Sequence, residues 1–194
     1  MSDERRVVRL DPRNLRGLAH PLRIRLLGAL RENGPATASK LAQQLGESSG
    51  ATSYHLRQLA AHGFVEEDRE RGRGRERWWR SAHEGTQLDA VAELVRNPET
   101  RGAVDLLLHE LATIHAQRLA TAIGEMHRLS PEWLAASNIS DFRLRLTAEE
   151  AGRMAREMSE LVERWRRQPG EAVPEDAEPV VVQVHSFPVS EPDS

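Results

Sequence analysis

Cysteine is absent from this 194-residue chain, which excludes disulfides, thiolate metal sites and cysteine nucleophiles. No stretch approaches eighteen consecutive apolar residues, so no membrane-spanning helix is expected. The opening residues, MSDERRVVRL, lack the apolar run of a secretory signal, and the cytoplasm is the expected compartment. Lysine occurs once, at Lys40, and every other basic side chain is arginine. There is no glycine-rich phosphate loop, no G-x-S-x-G string and no metal triad, so neither catalysis nor a cofactor is expected. The paired Glu149-Glu150 falls in the first turn of a predicted helix, where capping and dipole effects account for it.

What remains is a polar chain, 39% hydrophobic and 29% charged, long enough for one ordinary domain or a small domain with an appendage. Its net charge of -3 conceals an asymmetry: residues 1–80 carry a net +6 and residues 81–194 a net -9. A basic half joined to an acidic half suits a nucleic-acid-binding domain followed by a partner domain.

The N-terminal third reads as four helices in quick succession. Asp11 caps a short one that begins at Pro12, and Pro21 opens the next, LRIRLLGALREN, which buries Leu22, Leu26, Leu27 and Leu30 before Gly34-Pro35. Ala38, Leu41, Ala42 and Leu45 give the third its i, i+3, i+4, i+7 stripe, and Gly46 supplies a left-handed cap. Only Glu47 and Ser48 precede the fourth helix, SGATSYHLRQLAAH, in which Thr52, Leu56 and Leu59 face inward. Beyond Gly63 the hydrophobic period falls towards two. Phe64–Arg69 and Arg75–Arg80 read as strands around the glycine-bearing tip Glu70-Arg71-Gly72-Arg73-Gly74.

Further along, a helix is expected from Glu84 to Arg96, and Asn97-Pro98 starts another running to Leu129. Its stripe includes Val104, Leu107, Leu108, Leu111, Ile114, Leu119, Ile123 and Met126, over a length of roughly 40 Å at 1.5 Å per residue. So long a stripe is more than a small monomer covers, and Leu107, Leu111, Ile114 and Ile123 are the expected dimer seam. Ser130-Pro131 begins a helical turn around Trp133. The alternation of DFRLRL over 141–146 reads as a strand, Thr147 and Glu150 form a capping box for a helix to Gln168, and VVVQVHSF supplies a second strand. The fold class is therefore mainly α: a winged helix-turn-helix domain over 1–82, a helical dimerisation region over 83–129, and a small α+β unit over 130–190.

Two short helices joined by a tight turn and followed by a glycine-tipped hairpin place the second helix of the pair for the major groove of double-stranded DNA. Ser49, Ser53, Tyr54 and Arg57 lie opposite the inward stripe, so hydroxyls and a guanidinium point outward together. Ser48 or Ser49 caps the helix and leaves its positive end towards a phosphate. The hairpin holds arginine at 69, 71, 73, 75, 77 and 80, with Arg71, Arg73, Arg75 and Arg77 placed for the backbone or a narrow minor groove. Together with Thr52 and His55 these are the candidate DNA-binding residues. The rival from another class is a winged helix used for protein interaction without DNA, which loss of basic residues here would have favoured.

The strings LRGLAHPLRIRLLGALRENG and ASKLAQQLGESSGATSYHLRQLAAHGFVE, followed by the arginine-rich hairpin, resemble the ArsR-type regulators over residues 12–80. Ser49 followed by Ser53, His55, Leu56 and Leu59 matches the family's recognition-helix pattern. The resemblance implies a homodimer on a palindromic operator, acting as a repressor that an inducer releases. The chain departs from the metal-sensing members, which use paired cysteines or Asp/His sets. Asp105 and His109 are i, i+4 neighbours and His115 is rotated off their face, too few ligands for a metal within one chain, so no metal site is expected. A small-molecule effector is a candidate partner through the C-terminal aromatics Trp133, Phe142, Trp165 and Phe187, which are read first as the core of a small domain.

Overall fold

In the computed structural model, residues 7–72, 76–87, 91–166 and 171–189 are described, and they divide into two units at Ile123/Gly124. The first unit begins with strand β1 (Val7–Arg9) and helix α1 (Pro12–Leu18). The Asp11 carboxylate accepts from the amides of Arg13 and Asn14, and the Asn14 side chain returns to the Asp11 amide, closing a capping box. Helix α2 (Pro21–Asn33) is capped by the His20 ring, whose Nδ1 accepts from the amide of Leu22 at 3.1 Å. A short strand β2 (Ala36–Thr37) leads into α3 (Ala38–Leu45), which ends at Gly46 with φ +68°. Only a residue without Cβ enters that left-handed turn at no cost, and it lets α4 (Ser49–Ala61) start three residues later.

These helices enclose one core. Leu15, Leu18, Leu22, Ile24, Leu26, Leu27, Leu30, Leu41, Leu56 and Leu59 are buried together with Phe64 and Trp79. Gly17 sits where α1 meets the end of α4: a Cβ there would lie 2.6 Å from His62 Cβ and 2.8 Å from Phe64 Cε2. Glycine is what permits that approach.

Strand β3 (Val65–Glu67) pairs antiparallel with β4 (Trp78–Ser81) in the register Val65↔Ser81, Glu66↔Arg80, Glu67↔Trp79. On its other edge β4 takes β2, giving a three-stranded sheet of order β2-β4-β3. The expected strands are therefore present but shorter, and β2 adds a third that the alternation of the sequence did not reveal. A two-residue strand has no period to read.

The helix expected from Glu84 requires correction. Gly85–Gln87 is strand β5, paired parallel with β1, and helix α5 spans only Val91–Arg96. The cause is tertiary. The Arg31 guanidinium, on α2, donates to the carbonyls of His83 and Gly85 and to Thr86 Oγ1, at 2.9–3.0 Å. These bonds hold residues 83–86 against α2, where Gly85–Gln87 pairs with β1. Asn97 then caps α6 (Pro98–Glu125) through the Glu99 amide, and the buried Thr100 hydroxyl donates to Leu94 O, fixing the α5–α6 corner. Val104 and Leu107 are buried in the first unit's core, and Arg118 pairs with Glu32 of α2 at 2.9 Å.

In the second unit a 3-10 turn η1 (Met126–Arg128) is followed by α7 (Pro131–Ala136), capped by Ser130, and α8 (Ala148–Trp165). The Thr147/Glu150 capping box is formed as expected. Among the described residues neither 141–146 nor 179–189 belongs to a sheet strand, and no residue of this unit is buried. No helix of the described residues is long and apolar enough to cross a membrane.

Candidate nucleic-acid interface

Helix α4 is built to present one face. Thr52, Leu56 and Leu59 are fully buried, and this 3–4 spacing leaves the opposite side outward. Ser48 Oγ accepts from the amide of Ala51 at 3.2 Å, which satisfies one of the first-turn donors and leaves others directed at whatever lies beyond the helix end. Ser48, Ser49, Tyr54 and Arg57 are exposed and Ser53 is half-buried. Arg57 Nε donates back to Ser53 O at 3.2 Å, which holds the guanidinium close to the helix surface. Thr52 is the exception among the residues expected to touch DNA. Its side chain is 0% exposed and packs in the core, so it positions the helix and cannot reach a base.

His55 occupies an intermediate place. Its ring lies 4.2 Å from that of His20 and meets the exposed Tyr54 edge-on at 5.1 Å. Burial, then the neighbouring His20 and Arg23, hold the imidazole below its usual pKa, because each disfavours the charged form. Arg23 Nε, Thr52 Oγ1 and His55 Nδ1 are buried with no hydrogen-bond partner among the described residues. Burial also lowers the Arg23 guanidinium, against the opposing influence of Tyr54.

Two side chains that the sequence did not single out fix the approach of α3 to α4. Arg25, on α2, donates to Leu45 O at 2.9 Å and lies 3.5 Å from the Glu47 carboxylate. It thereby grips both sides of the Gly46 turn. Lys40, on α3, lies over the Trp78 ring at 4.8 Å, tying that helix to the sheet. Neither interaction leaves a local signal, since each partner lies far away in the chain.

In the hairpin, Arg80 meets Glu66 at 2.8 Å, Arg77 meets Glu67 at 3.4 Å and lies over Trp79, and Arg71 meets the buried Asp68 at 3.6 Å. The Asp68 carboxylate also accepts from the Arg71 amide, so the acid anchors the strand end. Arg73 and Arg75 lie outside the described residues. The exposed pairs of Arg77 and Arg80 are worth about 0–1 kcal/mol, so these two arginines are held loosely enough to exchange a carboxylate for another anion, whereas Arg71 faces a buried one.

Residues 18–68 match the family model described as a helix-turn-helix domain. This segment is a helix-turn-helix domain. With the β3–β4 hairpin that follows, it makes a winged helix. No curated protein matches the chain. Among solved structures it is similar to the homodimeric winged helix-turn-helix DNA-binding domain (fragment 1–100) of Mb0332 from Mycobacterium bovis, described as a possible ArsR-family transcriptional regulator. That likeness is 22% identity over 61% of this chain and 84% of the other, with a TM-score of 0.33. An apo-form mutant of Lactococcus lactis ZitR is similar at 20% identity over 76% of this chain and 84% of the other, with a TM-score of 0.33.

On α6 the expected seam residues separate. Leu107 is 3% exposed and belongs to the chain's own core, a correction to its expected place at a subunit surface. Leu111 and Ile114 are half-buried against that core, whereas Ile123 is 50% exposed, with Leu119 exposed nearby. Asp105 lies 3.8 Å from Arg101, and the His109 ring bonds the Asp105 carbonyl rather than its carboxylate. Among the described residues no three His, Cys, Asp or Glu side chains come together as a metal site.

Proposed function

We propose that this chain is a sequence-specific regulator of transcription that binds double-stranded DNA as a homodimer. The observation that carries the reading is the face of α4: Ser49, Ser53, Tyr54 and Arg57 outward, Thr52, Leu56 and Leu59 buried behind them, and a Ser48-capped N-terminus. Ser48 and Ser49 meet phosphate at the helix end, Ser53, Tyr54 and Arg57 reach base edges, and the hairpin arginines Arg71, Arg73, Arg75 and Arg77 follow the backbone. His55 acts from behind this face, through its stack on His20 and its edge contact with Tyr54.

Two copies read successive major grooves when their recognition helices stand about 34 Å apart, which makes the operator a palindrome. Leu111, Ile114 and Ile123 of α6 form the seam between copies. Repression from a promoter-overlapping operator in the cytoplasm, relieved by a small-molecule inducer, completes the reading that the ArsR-type resemblance implies.

The test is retention of sheared genomic DNA by the full chain, followed by sequencing of what is retained. An inverted repeat with half-sites about one helical turn apart is expected, bound at least about a thousandfold more tightly than random duplex. Failure to bind any duplex even at about 50 mM salt, where backbone contacts are strongest, sinks the proposal. It would favour a winged helix for protein interaction, a role consistent with the carboxylate partners of Arg71, Arg77 and Arg80.

A further inference from the structure

Of the three arginines on α2, two are committed within the chain. Arg25 holds Leu45 O and the Glu47 carboxylate, and Arg31 donates to acceptors on Ser81, His83, Gly85 and Thr86. Arg23 differs from both. It is half-buried, its Nε is covered and has no hydrogen-bond partner, and among the described residues no carboxylate forms an ion pair with it. A guanidinium stays charged at any physiological pH, and withdrawing it from water without a partner is costly. Its place in the fold says what completes it. Arg23 stands in the first turn of α2, just past the His20 cap, whose ring lies 4.2 Å from that of His55 on α4. Tyr54, 53% exposed, meets His55 edge-on and favours the Arg23 charge that burial disfavours. Successive helix positions turn by about 100°, so His55 falls about 200° round α4 from Ser53, with Tyr54 between them on the outward face. The start of α2 therefore borders the outward face of α4 on its His55 flank.

We propose that Arg23 binds a phosphate of the DNA backbone at the edge of the groove that α4 enters, and that the His20–His55 stack sets the spacing of α2 and α4 that brings it there. The inference deepens the proposed function and rests on it. A helix lying in a major groove has phosphates along both of its sides, and contacts to them fix its register without reading sequence. The chemistry of Arg23 suits that task. Its N–H donors form a planar fork that matches phosphate oxygens, and such an anion supplies the missing charge and the missing acceptors together. The acid nearest this cluster, Glu47, is already held by Arg25 at 3.5 Å, so it does not neutralise Arg23. The burial of Nε holds the guanidinium from behind, which lowers the entropy lost when an anion is gripped. Free inorganic phosphate offers the same oxygens. The position of Arg23 beside Tyr54 and His55 favours the backbone as their source.

The experiment measures the affinity of the full chain for random-sequence duplex as salt is raised, for the wild type, Arg23→Met and Arg23→Lys, with a thermal melt of each. Methionine keeps a packed stem without the charge, and lysine keeps the charge without the fork. Arg23→Met is expected to weaken binding to every duplex alike and to flatten the slope of log affinity against log salt by about 0.9 for each phosphate lost. Arg23→Lys is expected to keep the wild-type slope. An unchanged slope in folded Arg23→Met, or an equal flattening in Arg23→Lys, overturns the inference and leaves the DNA reading standing. A wild-type chain that binds no duplex overturns both. A second measurement needs no uncharged variant. The buried Nε of Arg23 keeps its proton long enough for nuclear magnetic resonance, and the signal is assigned by its disappearance in Arg23→Lys. In the wild type it is expected to shift on adding duplex and to stay in place with inorganic phosphate at the same phosphate concentration. A signal that ignores duplex, or that moves as far with inorganic phosphate, overturns the assignment to the backbone.

Discussion

The rings of His20 and His55 lie 4.2 Å apart, and they join the start of α2 to the middle of α4. His20 Nδ1 accepts from the Leu22 amide at 3.1 Å, which fixes the ring at the start of α2. His55 is held below its usual pKa by burial, then by His20 and Arg23. A base whose folded pKa is depressed binds protons more readily when unfolded, so stability rises with pH between the two values. The stability associated with His55 is thus complete above its unfolded pKa of about 6.5 and falls as the pH drops below it, levelling beneath the folded value. Urea midpoints at about pH 7.5, 6.5 and 5.5 are expected to decline in that order, with His55→Gln reducing the decline. A midpoint that rises on acidification contradicts the account.

Arg31 is the next lever. Burial lowers its pKa to about 10, and its guanidinium holds Ser81, His83, Gly85 and Thr86 against α2. Arg31→Ala leaves these acceptors without their donor and is expected to cost about 2–4 kcal/mol, since hydrogen bonds to charged groups contribute about 1.5–3 kcal/mol. Arg31→Lys keeps the charge but loses the planar fork and is expected to recover less than half of that. Hydrogen exchange should report the loss at β1 and β5 first. Uniform loosening of the whole domain would argue against this placement.

The wing prediction is electrostatic. Arg71→Ala and Arg77→Ala are each expected to weaken binding to every duplex alike and to flatten the dependence of log affinity on log salt, by about 0.9 for each phosphate no longer neutralised. A rival outcome exists because both arginines already face carboxylates, Asp68 and Glu67. If they keep those partners on DNA, the slope will not move. Arg57→Ala differs in kind: it should change the ranking of operator variants by roughly 1–3 kcal/mol at the base pair whose edge the guanidinium grips with two hydrogen bonds.

What was legible in the sequence was what short-range chemistry decides. The Asp11 and Ser48 caps, the Gly46 turn and the buried Leu56 and Leu59 follow from neighbours a few residues away, and each is where the residues placed it. What escaped depends on distant parts of the chain. Strand β5 stands where a helix was expected to start, in a segment that Arg31 holds to α2 from some fifty residues away, and β2 exists only through its pairing with Trp78 and Trp79. Thr52 has a hydroxyl that suggests DNA contact, but its spacing of i, i+4 and i+7 with Leu56 and Leu59 is that of a core residue. Periodicity outranks residue type there. Leu107 shows the converse, since a stripe along α6 cannot say which of its leucines the chain's own core already covers.

That division of α6 makes the dimer seam testable without confusing it with folding. Leu107 is buried within the chain, and Leu107→Ala is expected to cost about 2–5 kcal/mol by leaving a cavity, whatever the oligomeric state. Leu119 and Ile123 are exposed within the chain at 41% and 50%, so Leu119→Asp with Ile123→Asp adds charge where a monomer is already wet. A monomeric protein should tolerate that pair within about 0.5 kcal/mol, as surface changes usually are. In a dimer sealed through α6 the same charges are buried without partners, which is costly, and the chains separate. Sedimentation and circular dichroism of the variant are therefore expected to show full helicity in the first unit, loss of the dimer and loss of operator affinity together. Full helicity with an undiminished dimer would move the seam away from this half of α6.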